Sequence, residues 1–267
     1  MRRKIPLFAA LITAAMTSVQ AQSPSDGVQV YAAGSLREAL TLIAVEHEAR
    51  GGSKVALTFG ASGLLRERIE KGGGAHVFAS ADTDHPQRLA KGGGWEEPLV
   101  FVRNAMCALT QAQVGAGPAG LLDTMLRSDV RLGTSTPKAD PSGDYAWALF
   151  RKADALRPGA YAALDAKALK LTGGADSPKP PPGRGTYAWV MDQGQADVFL
   201  TYCTNAVAAQ REVPRLKVVE LPAELQVGAA YGLTVRSGAP AAARKFAQYL
   251  LSPDAQAVFQ RFGFGKP

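Results

Sequence analysis

Two stretches near the start of the chain share one pattern of apolar and polar positions. In VQVYAAGSLREALTLIAVEHEAR, residues 28–50, an apolar run at Val28–Ala33 reads as a buried strand, and Gly34 breaks it. Apolar residues then fall at Leu36, Ala39, Leu40, Ile43 and Ala44, the spacing of one helix face. In VALTFGASGLLRERIE, residues 55–70, a strand again leads through a glycine-rich turn into a helix, with Ser62 in the place of Ser35. Strand and helix signals go on alternating: a strand at His76–Ser80, another at Val130–Gly133, a helix over Asp144–Leu156, and a short strand at Leu169–Leu171. A helix from about Gly185 and a strand at Val198–Tyr202 follow. Such alternation predicts mainly parallel sheets covered by helices.

Two segments break the series. PLVFVRNAMCAL, residues 98–109, is long and strand-like, suited to crossing between two lobes. A strand at Tyr231–Val235 and a helical tail return near the end, with Pro240 and Pro253 each suited to a helix start. The expected fold is α/β and two-lobed, with a ligand cleft between the lobes. Its parts are residues 22–101 for the first lobe, 102–228 for the second, and 229–267 returning to the first. Ligands in open α/β sheets lie outside the carboxyl ends of the strands. Ser35, Ser62, Thr134–Thr136, Asp140–Asp144 and Tyr202 all fall at such ends.

Both serine turns have the chemistry of an anion site. The first-turn N–H groups of a helix lack intrahelical partners, and the helix dipole places partial positive charge there. Ser35 is equally suited to capping its own helix, with Glu38 three positions on as the second half of a capping box. Asp140 and Asp144 suit turn and helix-start roles.

Composition adds an address. Arg2, Arg3 and Lys4, the apolar stretch Ile5–Val19 and the small-residue pattern ending at Ala21 form a secretory signal peptide over residues 1–21. Its removal takes Lys+Arg from 30 to 27 against 23 Asp+Glu, so the net charge falls from +7 to +4. There is no basic run of the kind that binds nucleic acid. No cysteine follows the cleavage site to carry a lipid anchor. Cys107 and Cys203, in apolar strand-like contexts, are either a disulfide formed in an oxidising compartment or two buried thiols.

Five blocks taken in order carry a resemblance: VYAAGSLREAL, FGASGLLRERIEKGGGAHVFASAD, ADPSGDYA, ADVFLTYCTNA and AQYLLSPDAQAVFQRFGF. Together they resemble the periplasmic molybdate-binding proteins of ABC importers, over nearly all of the chain after residue 21. The resemblance implies ligand hydroxyls at Ser35 and Ser62, a backbone N–H at Ser142 where the family has alanine, and a hydroxyl at Tyr202. It also implies a backbone N–H from a family valine. Here that place falls near Arg184-Gly185, so Arg184 could instead contribute a charge to the anion. The implied ligand is molybdate or tungstate, held without cofactor or further metal. The implied partner is the permease of an ABC importer, and the protein works as a periplasmic monomer. A different oxyanion or small organic anion is the alternative that Arg184 leaves open.

An enzyme is the competing class. GASGL at residues 60–64 sits where a nucleophile elbow would, but the elbow needs glycine at Leu64. The chain has three histidines, His47, His76 and His85, and none has the spacing of a zinc site or of a base beside Ser62. The expectation is therefore a protein that binds and does no chemistry.

Overall fold

A computed structural model describes residues 27–267, so the expected signal segment lies outside the described residues. Among the described residues nine strands form in chain order: β1 Val28–Ala33, β2 Val55–Gly60, β3 Val77–Ser80, β4 Leu99–Thr110, β5 Leu132–Ser135, β6 Leu169–Thr172, β7 Val198–Tyr202, β8 Lys217–Glu220 and β9 Gly228–Val235. The helices are α1 Arg37–Ala49, α2 Ser62–Glu70, α3 Asp84–Lys91, α4 Leu121–Leu126, α5 Pro141–Leu156, α6 Ala160–Lys167, α7 Thr186–Asp192, α8 Cys203–Glu212, α9 Ala241–Leu250 and α10 Pro253–Arg261.

The strands run β2-β1-β3-β9-β4-β7-β5-β6, with β8 also paired to β4. Pairing is parallel within β1, β2 and β3 and within β5, β6 and β7. It is antiparallel wherever β4 or β9 takes part. The architecture is the two-lobed α/β fold. The twelve-residue β4 links its halves: Leu99–Ala105 pairs with β9, and Cys107–Thr110 pairs with β7 and β8.

Helix burial follows the apolar spacing. On α1 the buried residues are Ala39, Leu40, Ile43 and Ala44. On α9 they are Ala243, Phe246, Ala247 and Leu250, and Phe259 of α10 packs edge-to-face on Phe101 at 5.7 Å. Ser252 caps α10 by accepting the Ala255 N–H, with Pro253 at the first helical position. A separate apolar cluster fills the far side of the second half, with Cys107, Leu109, Val190, Met191, Phe199 and Leu216 at its centre. There the Cys107 and Cys203 sulfurs are bonded, with Cα atoms 4.8 Å apart, tying β4 to the start of α8. The sequence pattern did not separate out α4, α6, α8 or β8, whose periodic runs are short.

Candidate functional site

Four helix starts stand at the carboxyl ends of strands, and each carries a residue of interest. Ser35 follows β1, Ser62 follows β2, Ser142 opens α5 beyond β5, and Tyr202 ends β7 just before α8. Ser35 does not cap α1. It lies in a single 3₁₀ turn, Gly34–Leu36, and no side chain caps either that turn or α1. Its hydroxyl instead lies 2.9 Å from the Tyr231 hydroxyl on β9, in the other sheet-crossing strand. The Asn104 side-chain amide donates to that phenol oxygen at 3.2 Å and to Thr204 Oγ1 at 2.9 Å. Asn104 Oδ1 accepts the Ala105 N–H, which fixes the amide with its donors toward the phenol. Either hydroxyl can donate in the Ser35–Tyr231 pair; Tyr231 donates when its proton turns to Ser35 Oγ. The proton of Ser35 is then free to donate outward.

Ser62 is placed in a similar way. It is the first residue of α2, fully buried, and its Oγ accepts the Ala81 N–H at 3.1 Å, leaving its proton free. The Ala81 carbonyl accepts from the Tyr202 hydroxyl at 3.4 Å. Burial pushes the phenols of Tyr202 and Tyr231 well above their ordinary range, so both remain protonated donors. Tyr202 packs at 5.5 Å from the Tyr231 ring and 6.1 Å from Tyr145.

The two helix starts on the second half are occupied differently. The Ser142 N–H donates to Asp140 Oδ1 at 3.0 Å, and the Ser142 hydroxyl is buried without a hydrogen-bond partner. Asp144 turns back to accept the Lys138 N–H at 3.0 Å. At α7 the Gly185 N–H donates to Glu212 Oε2 at 2.8 Å. Arg184 lies at the start of this segment. Its guanidinium pairs with Glu212 and, at 3.0 Å, with Asp192, on a surface hollow shared with Gly183, Val213, Pro214 and Arg215. Two carboxylates occupy its fork of donors, and none of the other four candidate residues lines that hollow. The structure brings Ser62 and Tyr202 together through Ala81, links Ser35 to Tyr231, and sets Arg184 apart.

The first and second halves touch directly at this place. The Gly63 N–H, from the first turn of α2, donates to the Ala139 carbonyl at 2.9 Å. A Cβ on Gly63 would stand 2.3 Å from the Lys138 carbonyl oxygen, so glycine is what permits the approach. Sequence reasoning missed Tyr231, Asn104 and Ala81. Only the polar Asn104 inside an apolar crossing strand offered a signal.

No histidine hydrogen-bonds Ser62 among the described residues, and none of their His, Cys, Asp and Glu side chains gather in threes as metal ligands would. No helix of the described residues is long and apolar enough to cross a membrane.

What remains is a two-lobed α/β protein with hydroxyl donors converging between its halves, the class of solute-binding proteins. The chain belongs to the family of bacterial extracellular solute-binding proteins, whose sequence profile matches residues 28–265. It is 36% identical to an uncharacterized protein of Pasteurella multocida over 207 residues, 77% of this chain and 86% of that one. It is 26% identical to the molybdate-binding protein ModA of Escherichia coli over 276 residues, 98% of each. Among solved structures, the periplasmic molybdate-binding protein of Azotobacter vinelandii matches with a TM-score of 0.67 at 20% identity, covering 90% of this chain and 99% of that one. The L-phospholactate-bound PEB3 matches with a TM-score of 0.69 at 17% identity, covering 90% and 100%. The chain is thus a bacterial extracellular solute-binding protein.

Proposed function

We propose that the protein captures a tetrahedral oxyanion, molybdate or tungstate, in the periplasm and delivers it as a monomer to the permease of an ABC importer. The observation that carries this is at Ser62, whose hydroxyl accepts the Ala81 N–H and keeps its own proton to give; Ser35, paired with the Tyr231 hydroxyl, does the same when Tyr231 donates. A fully deprotonated dianion accepts hydrogen bonds and donates none, so a set of free donors at helix starts suits it. Ser35, Ser62 and Tyr202 supply hydroxyls, and the unpartnered Ser142 hydroxyl at the start of α5 adds another from the second lobe. The full-length likeness to ModA supports the choice of anion. Arg184 stands outside the ligand set in this reading, because its charge is met by Glu212 and Asp192.

A second reading keeps the same site and changes the anion. PEB3, a structural neighbour at 17% identity, holds L-phospholactate, a phosphate ester. Isothermal titration with molybdate, tungstate, sulfate and phosphate decides between them. Heat with molybdate and tungstate and little with sulfate or phosphate is the expected result; heat with phosphate alone would transfer the site to the second reading. Replacing Ser35 or Ser62 by alanine should weaken binding about tenfold each, and undiminished affinity in both variants would remove them from the site.

A further inference from the structure

Asp140 stands where an incoming oxyanion needs a donor. Its carboxylate accepts the Ser142 N–H at 3.0 Å, the N–H that heads α5. Gly173, at φ +77°, leaves room for this side chain, since a Cβ there would lie 2.5 Å from Asp140 Oδ2. The Ser142 hydroxyl beside it is fully buried and has no partner. Two acceptors, the carboxylate and a bound oxyanion, would therefore meet over one donor. Two like charges facing one donor repel.

We propose that Asp140 is the residue that discriminates among oxyanions, admitting a ligand only together with one proton shared between its carboxyl group and a ligand oxygen. The Ser142 N–H stays on one carboxyl oxygen, and the proton on the other becomes the ligand's donor. A dianion without a proton, such as molybdate, takes that proton up from solvent. A ligand that carries its own, such as hydrogen phosphate, brings it. No bond other than hydrogen bonds forms or breaks.

The surroundings favour a protonated Asp140. Withdrawal from solvent pushes its carboxyl up to about 6, against the pull of the Ser142 N–H and the Ser135 hydroxyl from β5. The charged groups acting on it are acidic: Asp144 from α5 and Asp82 from the loop after β3. Tyr187 from α7, Tyr202 from β7 and Tyr231 from β9 face it as neutral phenols. Lys138, on its own loop, is exposed. A bound dianion adds negative charge and raises the carboxyl further, the way buried carboxylic acids are kept neutral to donate.

This inference rests on the oxyanion reading, and one experiment separates the two. The purified protein is titrated calorimetrically with molybdate and with phosphate from about pH 6.5 to 8.5, in buffers of different ionisation enthalpy. Molybdate binding should take up about one proton and weaken about tenfold for each unit of rising pH. Whatever phosphate binding is seen near pH 8, where phosphate carries a proton, should take up far less. D140N should bind molybdate with no such slope, and more tightly than the wild type at the alkaline end. Molybdate binding by the wild type without slope or uptake overturns the inference and leaves the oxyanion reading standing. Equal uptake with both anions overturns it too, as does a slope that survives in D140N. No heat with either anion at any pH overturns the oxyanion reading, and this inference with it.

Discussion

Ser62 and Tyr202 are joined through the backbone of one residue. The Ala81 N–H donates to Ser62 Oγ at 3.1 Å, and the Ala81 carbonyl accepts from the Tyr202 hydroxyl at 3.4 Å. Ser62 heads a helix of the first half and Tyr202 ends a strand of the second, so this link exists while the two halves are in contact. The bond from Tyr202 is long and therefore weak. Re-aiming the phenol toward a ligand costs little, whereas Ser62 is held firmly and already has its proton free.

The same contact yields a prediction at Gly63. Alanine there would place its methyl 2.3 Å from the Lys138 carbonyl oxygen and 2.7 Å from that of Ala139. Both are backbone atoms, so the halves must separate to make room. Overpacking of this kind costs about 1–3 kcal/mol. In the proposed function the ligand is held with the halves in contact, so strain on that contact should cost G63A roughly tenfold or more in ligand affinity. Small-angle scattering should show the variant staying extended where the wild type compacts on adding ligand, with helix content unchanged. Compaction equal to the wild type would show that the closure runs through other contacts.

Tyr231 acts on the ligand through Ser35. Removing its hydroxyl leaves a buried Asn104 donor without its acceptor and lets the Ser35 proton turn away. An unmet buried polar group costs about 1–3 kcal/mol. Y231F should therefore lower unfolding stability by that amount and weaken ligand binding several-fold. N104A leaves Ser35 and Tyr231 still bonded while Thr204 Oγ1 and the Ala105 N–H lose their partner, so it should lower stability but harm affinity less than Y231F. Denaturant unfolding and titration calorimetry on the pair test this; a larger affinity loss in N104A than in Y231F would refute the relay.

Much of this was readable from the chain, and the limits have a physical origin. The two strand-Ser-helix turns are local, so Ser35 and Ser62 could be placed from residues 28–70 alone. The role of Ser35 could not, because its partner lies 196 residues away on a strand that returns late to the sheet. The capping geometry expected of Ser35 gave way to that distant bond. Ala81 was invisible for a different reason: it acts through its backbone, which carries no sequence signal. Arg184 is a third case. A charged residue near an expected anion contact suggested a ligand role, but Glu212 and Asp192, from separate turns of the fold, take its charge.

The cystine also can be tested. Cys107 and Cys203 close a loop with a sequence separation of 96, and the second cysteine directly follows Tyr202. A cross-link over such a loop contributes about 2–4 kcal/mol. C107S/C203S should melt roughly 5–10 °C lower than the wild type, and a reductant should lower the wild type by a similar amount while leaving the variant unchanged. Equal melting temperatures under oxidising and reducing conditions would exclude a stabilising bridge.

Asp140 and His85 give the stability of the ligand-free protein opposite responses to pH. Asp140 ordinarily titrates near 3.8 and is pushed up to about 6 in the fold. Between those values the folded chain holds a proton that the unfolded chain has lost, so stability falls as pH rises through about 6. The cost at neutral pH is on the order of 2–3 kcal/mol. D140N removes it while keeping a residue able to cap α5, and should be more stable than the wild type at pH 7.5. His85 is buried with both ring nitrogens unpartnered, and desolvation lowers its pKa despite the nearby Asp82 carboxylate. The unfolded chain then takes up a proton near pH 6.5 that the folded chain resists, so this residue removes stability as pH falls below that value. H85L should abolish that loss, and its advantage over the wild type should grow from pH 7 to pH 5. Denaturant unfolding of the three proteins at pH 5, 6 and 7.5 resolves the two contributions. A D140N variant no more stable than the wild type at pH 7.5 would mean that the Asp140 carboxylate is better solvated than its place in the fold implies.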